Sequence, residues 1–136
     1  MFKRFVLLIV FIVSAFTQSP NSDENLTGSL PNGRFWVKYP AERLIYLVGL
    51  RDGLNLVVAN PQYFPNGKAG VEAYRPQKLT NEDMIAAIDN VYEDRENIRI
   101  PVAFVYNFVN EKLKGSLTKT DVDLRIRRMR QLASEY

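Results

Sequence analysis

Asp89 and Glu93 stand one helical turn apart, and of all the side chains here they come nearest to a spacing that acid–base chemistry could use. Glu82 and Asp83 add two carboxylates at the start of the same stretch. A glycosidase-like pair has to face across a cleft about 5 to 9 Å wide, and a single helix face does not supply that geometry. The chain has no histidine and no cysteine. Ser-His-Asp and Cys-His catalysis are therefore excluded, as are the usual His/Cys zinc sites, and so is a disulfide framework. The oxygen-rich run Asp89-Asn90-Val91-Tyr92-Glu93-Asp94 lacks the alternating ligands and central glycine of a calcium loop. Gly67 and Gly70 lack the Lys-Ser/Thr and helix that complete a phosphate cradle. No metal or cofactor is expected. A histidine-free enzyme using Asp89 and Glu93 is the alternative reading, with a structural envelope component as a second.

Recognition chemistry is better represented. Phe35, Trp36 and Tyr39 crowd into five residues, with Arg34 beside Trp36 and able to stack on its ring. Tyr63, Phe64 and Tyr74 punctuate a stretch rich in proline and glycine. Trp, Tyr and Arg dominate the energetics of protein interfaces, so Arg34, Trp36, Tyr63, Phe64 and Tyr74 are the candidate partner-binding residues. The single Trp of a small domain also serves as a core plug.

The elements that must position these groups read as helices. Met84, Ile85, Ile88, Val91 and Tyr92 recur at helical spacing after Thr80, which can cap the helix with Asp83 at the capping-box position. Pro101 suits the first turn of a second helix, whose face is Val102, Val105, Phe108, Val109 and Leu113, and Gly115 is placed to end it. Residues 42–59 follow Pro40 with Leu44, Leu47, Val48, Leu54 and Val58 on one face. Gly49 and Gly53, four apart, predict close approach of a second helix there, because glycine is costly in a helix interior. A last helix starts at Thr118 or Thr120, buries Val122, Ile126, Met129 and either Ala133 or Leu132, and turns Arg125, Arg127, Arg128 and Arg130 outward. Between residues 60 and 78, three prolines and two glycines preclude one regular element. A long ordered loop is expected there, with Val71, Ala73 and their neighbours in a short extended piece. The fold class is all-α, a bundle of about four helices.

At the N-terminus two basic residues, Lys3 and Arg4, precede an apolar run at 5–13 and small residues at 14–17. That run is too short for a membrane span and fits a cleaved signal peptide. The expected organisation is a signal peptide at 1–17, a flexible mature N-terminus at 18–31 and one helical domain at 32–136, exported to the periplasm or beyond. Asn25-Leu26-Thr27 is a glycosylation sequon. Overall there are 18 basic and 15 acidic side chains. Without Lys3 and Arg4 they nearly balance, which predicts no bulk attraction to nucleic acid or to an anionic membrane. No stable membrane span is expected after cleavage. A protein partner is the preferred reading.

Asn32-Gly33-Arg34-Phe35-Trp36, the helix carrying Arg43 through Gly53, and Val91-Tyr92 followed by Asn97-Ile98-Arg99-Ile100-Pro101-Val102 resemble a group of small exported bacterial proteins without assigned activity. The resemblance spans roughly residues 31 to 115. The Tyr46-Leu47-Val48-Gly49 helix preceding a loop and a helix pair is also distantly similar, though cysteine-free, to the Rap/Tai-type immunity proteins. Those are periplasmic helical domains that neutralise type VI secretion effectors. The resemblance implies a helical fold, export and a protein partner, and it assigns no binding residue.

Overall fold

The computed structural model describes residues 23–68, 71 and 79–136. The expected signal peptide, Ala73 and Tyr74 lie outside them. The described residues form five α-helices: α1 (Gly33–Lys38), α2 (Arg43–Ala59), α3 (Asn81–Tyr92), α4 (Val102–Leu113) and α5 (Lys119–Ser134). Two 3₁₀ turns, Pro40–Glu42 and Arg95–Asn97, precede α2 and separate α3 from α4. A small antiparallel hairpin, β1 (Leu26–Thr27) with β2 (Leu30–Pro31), leads in. The all-α bundle is thus observed, with α1 as an additional short helix around the aromatic cluster.

α3 and α4 form the centre. Thr80 and Asp83 complete the expected capping box, and Met84, Ile88, Val91 and Tyr92 are buried. α4 buries Val102, Val105, Tyr106, Phe108 and Val109 against them, while Leu113 at its end is half exposed. Gly115 follows in the left-handed conformation at φ +71°, as a helix terminus requires. Asn110 is buried among these residues with neither amide atom bonded within the described structure, at a cost of about 1–3 kcal/mol for such a group.

The Tyr92 hydroxyl donates to the Ile100 carbonyl at 2.9 Å and joins the two helices across the turn. Burial pushes its phenol well above the ordinary value, and the neighbouring Tyr46 adds to the shift. The fold therefore favours the neutral phenol. This contribution is complete below the unfolded value near pH 10 and is lost as pH rises above it. In an alkaline titration followed at 295 nm, Tyr92 should ionise only together with unfolding. Ionisation of every tyrosine before the loss of helical circular dichroism would refute its burial.

Residues 23–31, assigned by composition to a flexible lead-in, are instead tied into the fold. The Thr27 hydroxyl donates to the Arg99 carbonyl at 2.6 Å and accepts from Asn32 Nδ2 at 3.1 Å. Asn32 also donates to the Glu24 carbonyl, while its Oδ1 caps α1 through the Arg34 amide. Thr27 is buried, so the threonine of the sequon faces the protein interior. Composition misreads this segment because its polar side chains bond to backbone rather than to water.

α2 departs furthest from expectation. Leu47 is its one buried residue, supported by the partly buried Tyr46, Leu50 and Leu54, whereas Leu44 is exposed. Nothing among the described residues lies within 4 Å of where a Cβ would sit at Gly49 or Gly53. Among the described residues, therefore, the expected close helix packing at these glycines is not found. Both sit on outward turns, where they loosen the helix without admitting a neighbour. Gly53→Ala should accordingly stabilise the protein by about 0.5–1 kcal/mol, read as a raised Tm; a lowered Tm would mean that this face is covered.

Beyond α2, Asn60 ends the helix by donating from its side chain to the Leu56 carbonyl at 2.7 Å. The chain then turns back so tightly that a Cβ at Gly67 would meet Val57 Cγ1 at 2.6 Å. Gly67, Lys68 and Val71 have helical backbone, and Val71 is buried. The expected extended piece at Val71 is thus helical there, with an apolar side chain reaching the interior.

Candidate functional site

Of the sequence-derived candidates, Trp36 is a core residue and not a contact residue. Its relative exposure is 0%. The six-residue helix α1 presents it inward, and its indole Nε1 donates to Asp89 Oδ1 at 2.7 Å. Arg43, at the first turn of α2, completes the arrangement. Its Nη1 donates to Asp89 Oδ2 at 3.1 Å, its Nε to the Trp36 carbonyl at 2.9 Å, and its guanidinium lies 5.3 Å from the indole centroid. The cation over Trp36 is therefore Arg43 and not Arg34. One carboxylate on α3 thereby holds α1 and the start of α2 in place.

That placement also settles what Asp89 does within the fold. Both carboxylate oxygens are engaged, whereas Glu93 is exposed at the C-terminal cap of α3. Neither lines any of the three hollows found among the described residues. Among the described residues no group of three potential metal ligands comes together, and no helix is long and apolar enough to cross a membrane.

Arg34 projects from α1 and pairs with Glu24 at 2.8 Å. It borders a hollow of about 790 Å³, whose rim also carries Asp23, Lys38 and Arg95. Charges of both signs line this hollow, and Arg34 is already paired with Glu24. Tyr63 and Phe64 lie beyond the end of α2, 74% and 45% exposed.

The surface that sequence reasoning missed is the outer side of α2. Ile45, Gly49, Asp52 and Leu56 recur at i, i+4, i+7 and i+11, which places them opposite Leu47. Ile45 is 70% and Leu56 63% exposed. Seven of the thirteen large exposed apolar side chains among the described residues fall between positions 37 and 64. More than half of them thus lie in this one stretch of sequence, with Leu44, Ile45 and Leu56 on α2 itself. The signal was present in the sequence, because α2 is apolar on more than one face. Phe35 packs its ring 5.4 Å from Tyr39 and 5.8 Å from Tyr46, fixing α1 against the base of this helix.

α5 supplies a second surface. Its capping box joins Thr118 and Asp121, whose hydrogen bonds hold the Asp121 carboxyl below its usual range. Only Ala133 is fully buried. Arg130 reaches back to the turn after α3, donating to Asn97 at 2.8 Å and to Asp94 at 2.5 Å and pairing with Glu96. Arg125 pairs with Glu111 of α4 at 2.8 Å. Of the four arginines expected to form a solvated face, two therefore dock the helix. Between α4 and α5 runs a groove of about 280 Å³.

No family model matches the chain, and no match was found among curated proteins or solved structures.

Proposed function

We propose that this chain is an exported, non-catalytic binding protein that engages a protein partner, with immunity-like inhibition of that partner as the sharpest form of the reading. The exposed apolar side of α2 carries the proposal. Ile45 and Leu56 project on the face opposite the core, and burying either against a partner would contribute about 1.5–3 kcal/mol. Tyr63 and Phe64, which continue the same stretch of chain, are of the residue types that anchor interfaces. The engagement of Asp89 by Trp36 and Arg43 weighs against the carboxylate enzyme. Export rests on the basic start and short apolar run of residues 1–17.

The test is a pull-down with the chain from residue 18 onward against extracts of its own and neighbouring organisms, read by mass spectrometry, alongside Ile45→Asp. One stoichiometric partner is expected with the unaltered protein, and its recovery should fall at least about tenfold with the variant, as loss of a central apolar anchor implies. A partner retained equally by both would remove α2 as the interface. Absence of any partner would overturn the binding reading.

A further inference from the structure

All of the chain's excess positive charge resides on one helix. α5 carries five basic side chains (Lys119, Arg125, Arg127, Arg128 and Arg130) against Asp121 and Asp123, which leaves thirteen of each sign elsewhere in the 18 and 15 of the whole chain. Arg130 and Arg125 are engaged within the fold. Arg128 makes no ion pair among the described residues and is exposed at the edge of the groove between α4 and α5.

The groove itself is built from two helical stripes of identical spacing. Phe104, Asn107, Phe108 and Glu111 line it from α4, and Arg125, Arg128, Met129 and Leu132 from α5. Both sets follow i, i+3, i+4, i+7 and so form one continuous face on each helix. Phe104, Phe108, Met129 and Leu132 make the lining apolar; Glu111 offsets Arg125 at its edge, which leaves Arg128 as the uncompensated positive charge there, among the described residues. At about 280 Å³ it falls just below the range of drug-sized pockets, roughly 300–1,000 Å³. It has room for one or two apolar side chains.

We propose that this groove docks an apolar side chain presented on an acidic segment of a protein partner, whose carboxylates lie against Arg128 and the outer edge of Arg125. Charge complementarity selects the segment. An apolar knob alone gains little from so small a lining, and flanking carboxylates supply attraction to a helix that holds the chain's whole charge excess. The groove shares no residue with the outer stripe of α2, so the two surfaces are tested separately.

The probe is a fluorescein-labelled helical peptide with leucines on one face flanked by glutamates, compared with a twin carrying lysine at every glutamate. Each is titrated into the full protein by anisotropy and mapped by amide chemical shifts. The glutamate peptide should bind and shift resonances at Phe104, Phe108 and Leu132, and its lysine twin should not. Arg128→Glu loses no ion pair among the described residues, so it should keep the fold by circular dichroism and weaken the glutamate peptide at least about tenfold. Leu132→Asp should do the same while leaving the pull-down through Ile45 unaffected. Equal binding of the two peptides, shifts confined to other faces, no binding at all, or indifference to Arg128→Glu would each overturn the proposal. Binding that tracks Ile45→Asp instead would assign the acidic segment to α2.

Discussion

Replacing Asp89 with alanine should destabilise the protein by about 2–3 kcal/mol, measured by urea unfolding. Most of this comes from the indole of Trp36. With no exposure to water and Asp89 Oδ1 at 2.7 Å as its acceptor, Nε1 would be left buried and unpaired. Loss of the Arg43 pair adds less, because the Asp89 side chain is 40% exposed and solvent screens it. Asp89→Asn distinguishes the two contributions: its amide oxygen can still accept from the indole while the charge is gone, so it should fall well short of alanine. The fluorescence of Trp36 should be blue and poorly quenched by iodide in the unaltered protein and become accessible in Asp89→Ala as α1 loosens. A loss under about 0.5 kcal/mol for the alanine variant, the size of an ordinary surface change, would sink the idea that this carboxylate anchors α1.

Gly33→Ala should have a comparable effect for an opposite reason. Here an atom is added where none fits. A Cβ on Gly33 would lie 2.5 Å from two carbons of the Tyr92 ring and 2.9 Å from the Ile98 carbonyl oxygen. Neither can give way cheaply. The ring is buried and hydrogen-bonded through its hydroxyl to Ile100, and the carbonyl is backbone. Overpacking of this kind costs about 1–3 kcal/mol, which for a domain of this size lowers Tm by roughly 10 °C. Gly49→Ala, facing open space, is the control and should not destabilise. Equal melting temperatures for the two alanine variants would contradict the packing described around Tyr92.

The contrast between these glycines shows which parts of the fold are legible in the sequence. α3, α4 and α5 can be read because each has a single apolar stripe and local end signals: the Thr80–Asp83 box, Pro101 with Gly115, and the Thr118–Asp121 box. These are interactions within a few residues, so pattern and spacing encode them. α2 is legible as a helix but not in orientation. With leucine, isoleucine and valine on several faces, the period does not say which face meets the core, and glycine spacing points equally to a packed or an open side. α1 is only six residues long, too short for periodicity to register. The Trp36–Asp89 hydrogen bond joins positions 53 apart, and nothing local announces it. The same limit hid both candidate surfaces. Exposure of Ile45 and Leu56, and the groove between α4 and α5, depend on what the rest of the chain leaves uncovered, and that is decided only when the helices assemble.

The way α5 is attached has a consequence for cohesion. α3 and α4 are held by a continuous apolar core, whereas α5 buries only Ala133 fully, packs Val122, Ile126 and Met129 partly against that core, and adds the ion pairs of Arg130 and Arg125. Such exposed pairs are screened over about 8 Å at physiological ionic strength and over less in stronger salt. Part of the attachment of α5 is therefore sensitive to salt, whereas that of α3 to α4 is not. Because α5 forms one wall of the groove, ionic strength acts on that groove twice, once through the charges of whatever binds and once through the persistence of the wall.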